Sequence, residues 1–128
     1  MSMNTALWIV QILLGLVFVG AGIMKSTQPK EKLQGTMKWV EDFSPSTVKV
    51  IGVLELLAGI GLILPWVTGI LPVLTPLAAV GLVLTMVGAI ITHIRRGEAP
   101  FTVVNLVLLL LAAFVAYGRF VAVPFGAA

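Results

Sequence analysis

The sequence predicts an all-α, membrane-embedded four-helix bundle with a short amphipathic interfacial helix between spans 1 and 2. Three observations predict it. The chain of 128 residues is 59% hydrophobic and only 10% charged, against about 25% charged in an average globular domain. Its apolar runs are long and continuous rather than alternating. In lipid the backbone must bond internally, as helices or as a closed barrel, and continuous runs select helices. Capping residues, prolines and charges bound the runs at about the 20-residue spacing a bilayer requires. The length suits one membrane domain, residues 1–128, with spans at about 4–25, 45–64, 72–95 and 100–120. No tandem repeat, low-complexity tract or interdomain linker interrupts it.

Span 1 begins at Asn4 or Thr5 as a cap, with Trp8 at interfacial depth. Gln11 is its only strongly polar interior side chain, and Gly15, Gly20, Ala21 and Gly22 thin its second half. Lys25 closes it, where a lysine can snorkel to the headgroups or complement the helix C-terminus. The segment lacks a positive n-region and its apolar run is longer than that of a signal peptide, so we read it as a retained span. From Thr27 to Phe43 the character changes: Lys30, Glu31, Lys32, Lys38, Glu41 and Asp42 alternate with Leu33, Met37 and Val40 at helical spacing. This pattern predicts an amphipathic helix on the membrane surface, with Pro29 in its first turn and Gly35 as its weak point.

Span 2 opens on Ser44 as N-cap with Pro45 at the first helical position, where a missing N–H costs nothing. Pro65 marks its far end. Trp66 to Thr75 carries no charge, so this connector is expected to dip into the interface, anchored by Trp66. Thr75-Pro76 repeats the cap-plus-proline pattern at the start of span 3. Gly81, Thr85 and Ala89 recur every four residues there, a face suited to close helix contact. His93, Arg95 and Arg96 end it, and Gly97-Glu98-Ala99-Pro100 turns the chain into span 4. Asn105 lies a turn or so inside that last span. Arg119 stands at its far end, as an interfacial anchor or an anion-binding residue.

The net charge of +3 is small and forms no basic run, which excludes nucleic acid as a partner. The absence of cysteine excludes thiol catalysis, disulfides and Cys-based metal sites. A single histidine is a poor basis for a metal centre, so none is expected. Lys25, Lys30, Lys32, Lys38, Arg95 and Arg96 gather on one side of the membrane, against Arg119 alone on the other. Connectors 26–44 and 95–100 are therefore expected to be cytoplasmic, with both termini outside.

The most informative residue is Glu55. It sits about 15 Å along span 2 by helical rise, at a depth where an ionisable group costs about 3 kcal/mol and needs a partner. Gly52 and Gly59 share its face and let another helix approach. Read plainly, Glu55 is a packing glutamate held by one hydrogen bond; read sharply, it is a ligand, proton or ion site. Lys25, His93 and Asn105 come to similar depths on neighbouring spans and could converge with it in a polar pocket. Asn105 could supply the donor, and Lys25 could do so if its stem bends inwards. Each also has a plain reading, as a snorkelling anchor, a headgroup-level residue and a helix bridge respectively. No nucleophile–base pair, P-loop or dinucleotide fingerprint is present, which leans away from an enzyme.

The run Phe18-Val19-Gly20-Ala21-Gly22-Ile23-Met24-Lys25, then Ile51-Gly52-Val53-Leu54-Glu55-Leu56-Leu57-Ala58-Gly59 with Leu62-Ile63-Leu64-Pro65, resembles DoxX-like membrane proteins. Leu71 to Ala79 and His93-Ile94-Arg95-Arg96-Gly97-Glu98 extend the likeness over nearly the whole chain. The resemblance implies a bacterial four-helix protein of the inner membrane and of unassigned function. Some DoxX-type proteins are associated with membrane redox systems, including thiosulfate:quinone oxidoreductase. This chain carries no redox-centre ligands, so the resemblance extends at most to binding a quinone or anchoring a redox partner protein. Lys25, Gly52, Glu55, Gly59 and His93 match the family pattern, and Asn105 joins them on depth.

Three functions follow for comparison. The first is a binding or accessory subunit that holds a lipophilic ligand, such as a quinone or lipid, or a protein partner around Glu55. The alternative is a small proton-coupled transporter using Glu55, although the small multidrug transporters that it superficially resembles carry their glutamate in the first span. The third is an enzyme with Glu55 as acid or base near His93. The small-residue faces could pack within the chain or build a homo-oligomer. We favour the first.

Overall fold

The structure, a computed structural model, describes residues 1–127 and is helical throughout, without strands among them. Four helical stretches are long and apolar enough to cross a membrane: Met3–Thr27, Pro45–Thr68, Leu74–Arg95 and Ala99–Ala122.

Helix α1 (Met3–Thr27) begins two or three residues earlier than expected, because Ser2 rather than Asn4 or Thr5 is the cap and accepts the Thr5 N–H at 3.1 Å. The predicted amphipathic interfacial helix is not continuous. It divides into α2 (Lys30–Leu33) and a 3₁₀ turn (Lys38–Asp42), separated by a bend at Gly35. The apolar stripe explains the difference. Leu33 and Val40 are both buried against Val48 of the next helix, and Met37, Trp39 and Phe43 pack around them. Burying both on one small patch needs a chain that folds back, and glycine, a poor helix former, sits at the fold. Lys30 Nζ closes this strap by donating to the Phe43 carbonyl at 2.6 Å.

Helix α3 (Pro45–Gly61) starts as expected, with Ser44 accepting the Thr47 N–H at 3.2 Å and Pro45 in its first turn. Pro65 acts one turn earlier than a terminator would. It has no N–H, so the Gly61 carbonyl four residues back has no helical donor. The helix breaks at Leu62–Ile63 and resumes as α4 (Leu64–Thr68), with Pro65 in its first turn. In lipid the freed carbonyls need other partners. Thr75 Oγ1 donates to the Gly61 carbonyl and Gln11 Nε2 donates to the Leu62 carbonyl, each at 2.7 Å. Thr75 is thus a cross-helix donor rather than a cap. The chain then forms α5 (Leu74–Arg95) and α6 (Ala99–Tyr117), and α6 runs on into a π-helical turn at Gly118–Ala122.

The helices form a ring. α1 packs most extensively on α3 and α5 on α6, while narrower contacts of α3 with α5 and α1 with α6 close the circuit. The α1–α3 seam depends on missing side chains: a Cβ at Gly52 would lie 2.6 Å from the Ser26 nitrogen, and one at Gly59 2.9 Å from the Gly15 carbonyl oxygen. Gly81 behaves otherwise. No atom lies within 4 Å of its would-be Cβ, and the Thr85 hydroxyl turns back to the Gly81 carbonyl, so Gly81 makes no close helix contact within this chain. The main core, Leu14, Phe18, Leu62, Ala79, Leu82, Met86, Ala112, Val115 and Ala116, fills the half of the bundle nearer the termini. The half nearer the strap is not filled in this way.

Candidate functional site

At the strap end of the bundle the α1–α3 and α5–α6 pairs enclose a cavity of about 540 Å³. Glu55 lies in its wall. The residue is 2% exposed, and Lys25 Nζ donates to its Oε1 at 2.6 Å. Lys25 ends α1 just where Gly52 lets α3 come closest, so the glycine that permits helix contact also brings the cation within reach of the carboxylate one turn along. Trp39 of the strap covers the pair, with Lys25 Nζ 5.1 Å from its ring centroid. Glu55 Oε2 has no hydrogen-bond partner among the described residues and is left as an acceptor. Removing one partner of such a pair leaves an uncompensated buried charge, at a cost of about 3–5 kcal/mol.

His93 lies on the opposite side of the same cavity, buried, with its ring stacked on Phe101 at 5.3 Å and Nδ1 2.8 Å from Glu98 Oε1. Asn105 also lines the cavity, but its Nδ2 donates to the Phe101 carbonyl of its own helix at 2.9 Å, not to Glu55. Lys25, His93, Asn105 and Trp39 border both this cavity and a second one of about 510 Å³ nearer the membrane surface. The four predicted polar residues therefore do surround one space. Only Lys25 and Glu55 touch, and Lys25 fills the donor role for which Asn105 was the other candidate.

The strap is tied down across the site. Arg96, in the α5–α6 turn, donates to Glu41 at 2.9 Å, to Asp42 at 3.0 Å and to Glu98 at 3.2 Å. These carboxylates hold the Arg96 guanidinium charged well above the usual arginine range, Glu41 contributing most. The Glu98 carboxyl is held below the usual carboxylate range, first by its hydrogen bond to His93 and then by Arg96. Sequence reading misses this tie, because Glu41 and Asp42 look like an ordinary solvated face until the strap folds back.

A second polar centre lies at the other end. Arg119 is expected at an interface but is 2% exposed. Its Nε donates to Gln11 Oε1 at 2.7 Å and its Nη1 to Asn4 Oδ1 at 2.9 Å. Trp66, expected as an interfacial anchor, is instead buried with its ring centroid 4.6 Å from the guanidinium carbon; Trp8 lies on the guanidinium at 5.7 Å. The π-helical turn at Gly118–Ala122 carries this side chain into the bundle. The signal was present in the sequence as the one strong polar group inside span 1 and the one cation at the far end.

The chain offers no cluster of three or more His, Asp or Glu side chains that could hold a metal ion among its described residues. The inner site offers instead a neutralised ion pair, an unused carboxylate oxygen and an imidazole in an apolar chamber. That combination orients a hydrogen-bonding molecule. A family model described as "DoxX-like family" matches residues 9–115. No curated protein and no solved structure gives a match.

Proposed function

This chain belongs to the DoxX-like family and is an integral membrane protein, and from that we propose that it is a binding or accessory subunit. It holds a lipophilic molecule with a hydrogen-bonding head in the cavity at Glu55, Lys25, His93 and Asn105. The observation that carries the reading is the buried Glu55 paired with the partly buried Lys25 in the wall of a largely apolar cavity of about 540 Å³, within the 300–1,000 Å³ range of small-molecule sites. A charged pair is a costly way to pack two helices in a membrane, whereas a head group can use its spare donors and acceptor. A quinone fits this description, as does a lipid with an uncharged head. The packed core beyond the cavity supports retention rather than passage across the membrane. We place the strap and the α5–α6 turn in the cytoplasm, following the excess of Lys and Arg on that side.

Native mass spectrometry of gently purified protein tests the reading, with wild type beside Glu55→Gln. A small lipophilic molecule carried by wild type and lost from the variant is the expected result. An empty wild type, or the same molecule on both, would sink it.

A further inference from the structure

One side of the cavity at Glu55 is walled by α5, with Thr85, Thr92 and Arg95 as its polar members. In α5 the buried residues Leu82, Met86 and His93 point to the bundle centre. At about 100° per residue, Thr85, Ala89 and Thr92 then face α3, and Leu84, Gly88 and Ile91 face outward. Members of all three sets line the same cavity, with Ile51 and Glu55 of α3 opposite them. The cavity therefore runs from the bundle centre, between α3 and α5, to the lipid-facing surface, where Leu84 and Ile91 are exposed. Nearer the termini the same seam is shut: Thr75 bonds the Gly61 carbonyl, and a Cβ at Gly61 would lie 3.0 Å from that of Ala78. On the water side the strap bridges the site, with Trp39 over Lys25 and Arg96 holding Glu41 and Asp42.

We propose that the α3–α5 cleft is a lateral portal. Through it a neutral amphiphile with one apolar tail reaches the Glu55 site from the surrounding bilayer. Its head lies at Lys25, Glu55 and His93, and its tail lies in the cleft past Gly88. The proposal rests on the ligand-binding reading above and adds the route and the class of molecule. The head is neutral because Lys25 and Glu55 already offset one another where it lies, while Arg95, the other charged residue on the cavity wall, stands at the last turn of α5 towards the membrane surface. The tail is accommodated because the lip at Gly88 is open, with no atom within 4 Å of its would-be Cβ.

That open space also provides the test, since a Cβ added at Gly88 meets no atom of the folded chain within 4 Å. The full-length protein in lipid nanodiscs is photolabelled with hexadecanol bearing a mid-chain diazirine, and labelled residues are mapped by mass spectrometry. The readout is labelling at Phe18 and Met86, which line the cavity but are too buried for bulk lipid to reach. Wild type should label there. Gly88→Phe should lower that labelling about tenfold by obstructing the lip. Gly81→Phe, one heptad away on the same outward face and outside the cavity lining, should leave it unchanged. If Gly88→Phe does not assemble, Gly88→Leu makes the same obstruction with a smaller group. Equal labelling in wild type and the Gly88 variant would overturn the portal while leaving the binding site standing. No labelling of Phe18 or Met86 in wild type would overturn the site itself. Equal labelling by the matching hexadecanoate would overturn the neutral head.

Discussion

Two cations on opposite halves of the bundle, Lys25 partly buried and Arg119 fully buried, are handled in opposite ways. Lys25 faces a full carboxylate, and the pair borders open space. Arg119 faces only neutral oxygens, from Gln11, Asn4 and the Val123 carbonyl, and the faces of Trp66 and Trp8, in the packed half. Its Nη2 is the one buried side-chain nitrogen without a hydrogen-bond partner among the described residues, with an indole face in place of an anion. The contrast teaches that a buried charge does not by itself make a site. At Arg119 the charge is used up in joining α1 to the end of α6. At Lys25 neutralisation is complete and acceptor capacity remains beside a chamber that a molecule can occupy.

The comparison can be broken by substitution, beginning with the largest expected effect. Lys25→Met should destabilise the bundle by about 3–5 kcal/mol by stranding Glu55, and pairing it with Glu55→Leu should recover most of that loss. Reversible unfolding in mixed micelles would measure both, and an additive double variant would contradict a direct pair. Arg119→Leu removes charge-assisted hydrogen bonds worth about 1.5–3 kcal/mol each and should lower stability by a few kcal/mol. Ligand retention should survive it, in contrast to Glu55→Gln, and native mass spectrometry separates the two outcomes. Thr75→Val leaves the Gly61 carbonyl without a donor and should cost about 1–3 kcal/mol on the same unfolding assay.

The smallest effects belong to the strap. Arg96→Gln breaks pairs to the exposed carboxylates Glu41 and Asp42, which solvent screens, so global stability should barely move while amide exchange in residues 38–42 speeds up. Glu98 gives the strap a pH dependence. Its folded pKa is depressed, chiefly by His93, so its stabilising contribution is complete at neutral pH and is lost only as pH falls through the depressed value. Exchange at the α5–α6 turn, corrected for intrinsic rates, should therefore stay slow through the ordinary carboxylate range and quicken below it. His93→Gln should move that quickening to higher pH.

The spans and the glutamate were legible because both are local signals. A Ser-Pro start, a continuous apolar run and one acid within it can be read without knowing what lies across the bundle. The partner of Glu55 was legible only as a choice, since depth along a helix brings Lys25 and Asn105 equally near until the Gly52 approach decides between them. The strap was misread because Leu33, Met37 and Val40 satisfy a helical period, yet burial against Val48 outweighs that period in a segment this short. Arg119 was misread for a related reason. Snorkelling is the default for a terminal cation, and only the π-helical turn, invisible as a pattern, aims it inward. Gly81 and Thr85, like Gly52 and Gly59, put two small residues on one helix face, and spacing alone does not say whether a face meets a helix or lipid.

Pro65 and Thr75 lie ten residues apart, one in α4 and the other in α5, and look unrelated. The proline withholds a proton from the Gly61 carbonyl, and the threonine hydroxyl returns one from the next span. The two positions are therefore a single constraint written in two places. Among related sequences a chain with an ordinary residue at position 65 is free to lose the hydroxyl at 75, whereas one that keeps the proline must keep a donor there or find it elsewhere. Paired change at these positions would record a hydrogen bond in sequence drift rather than in coordinates.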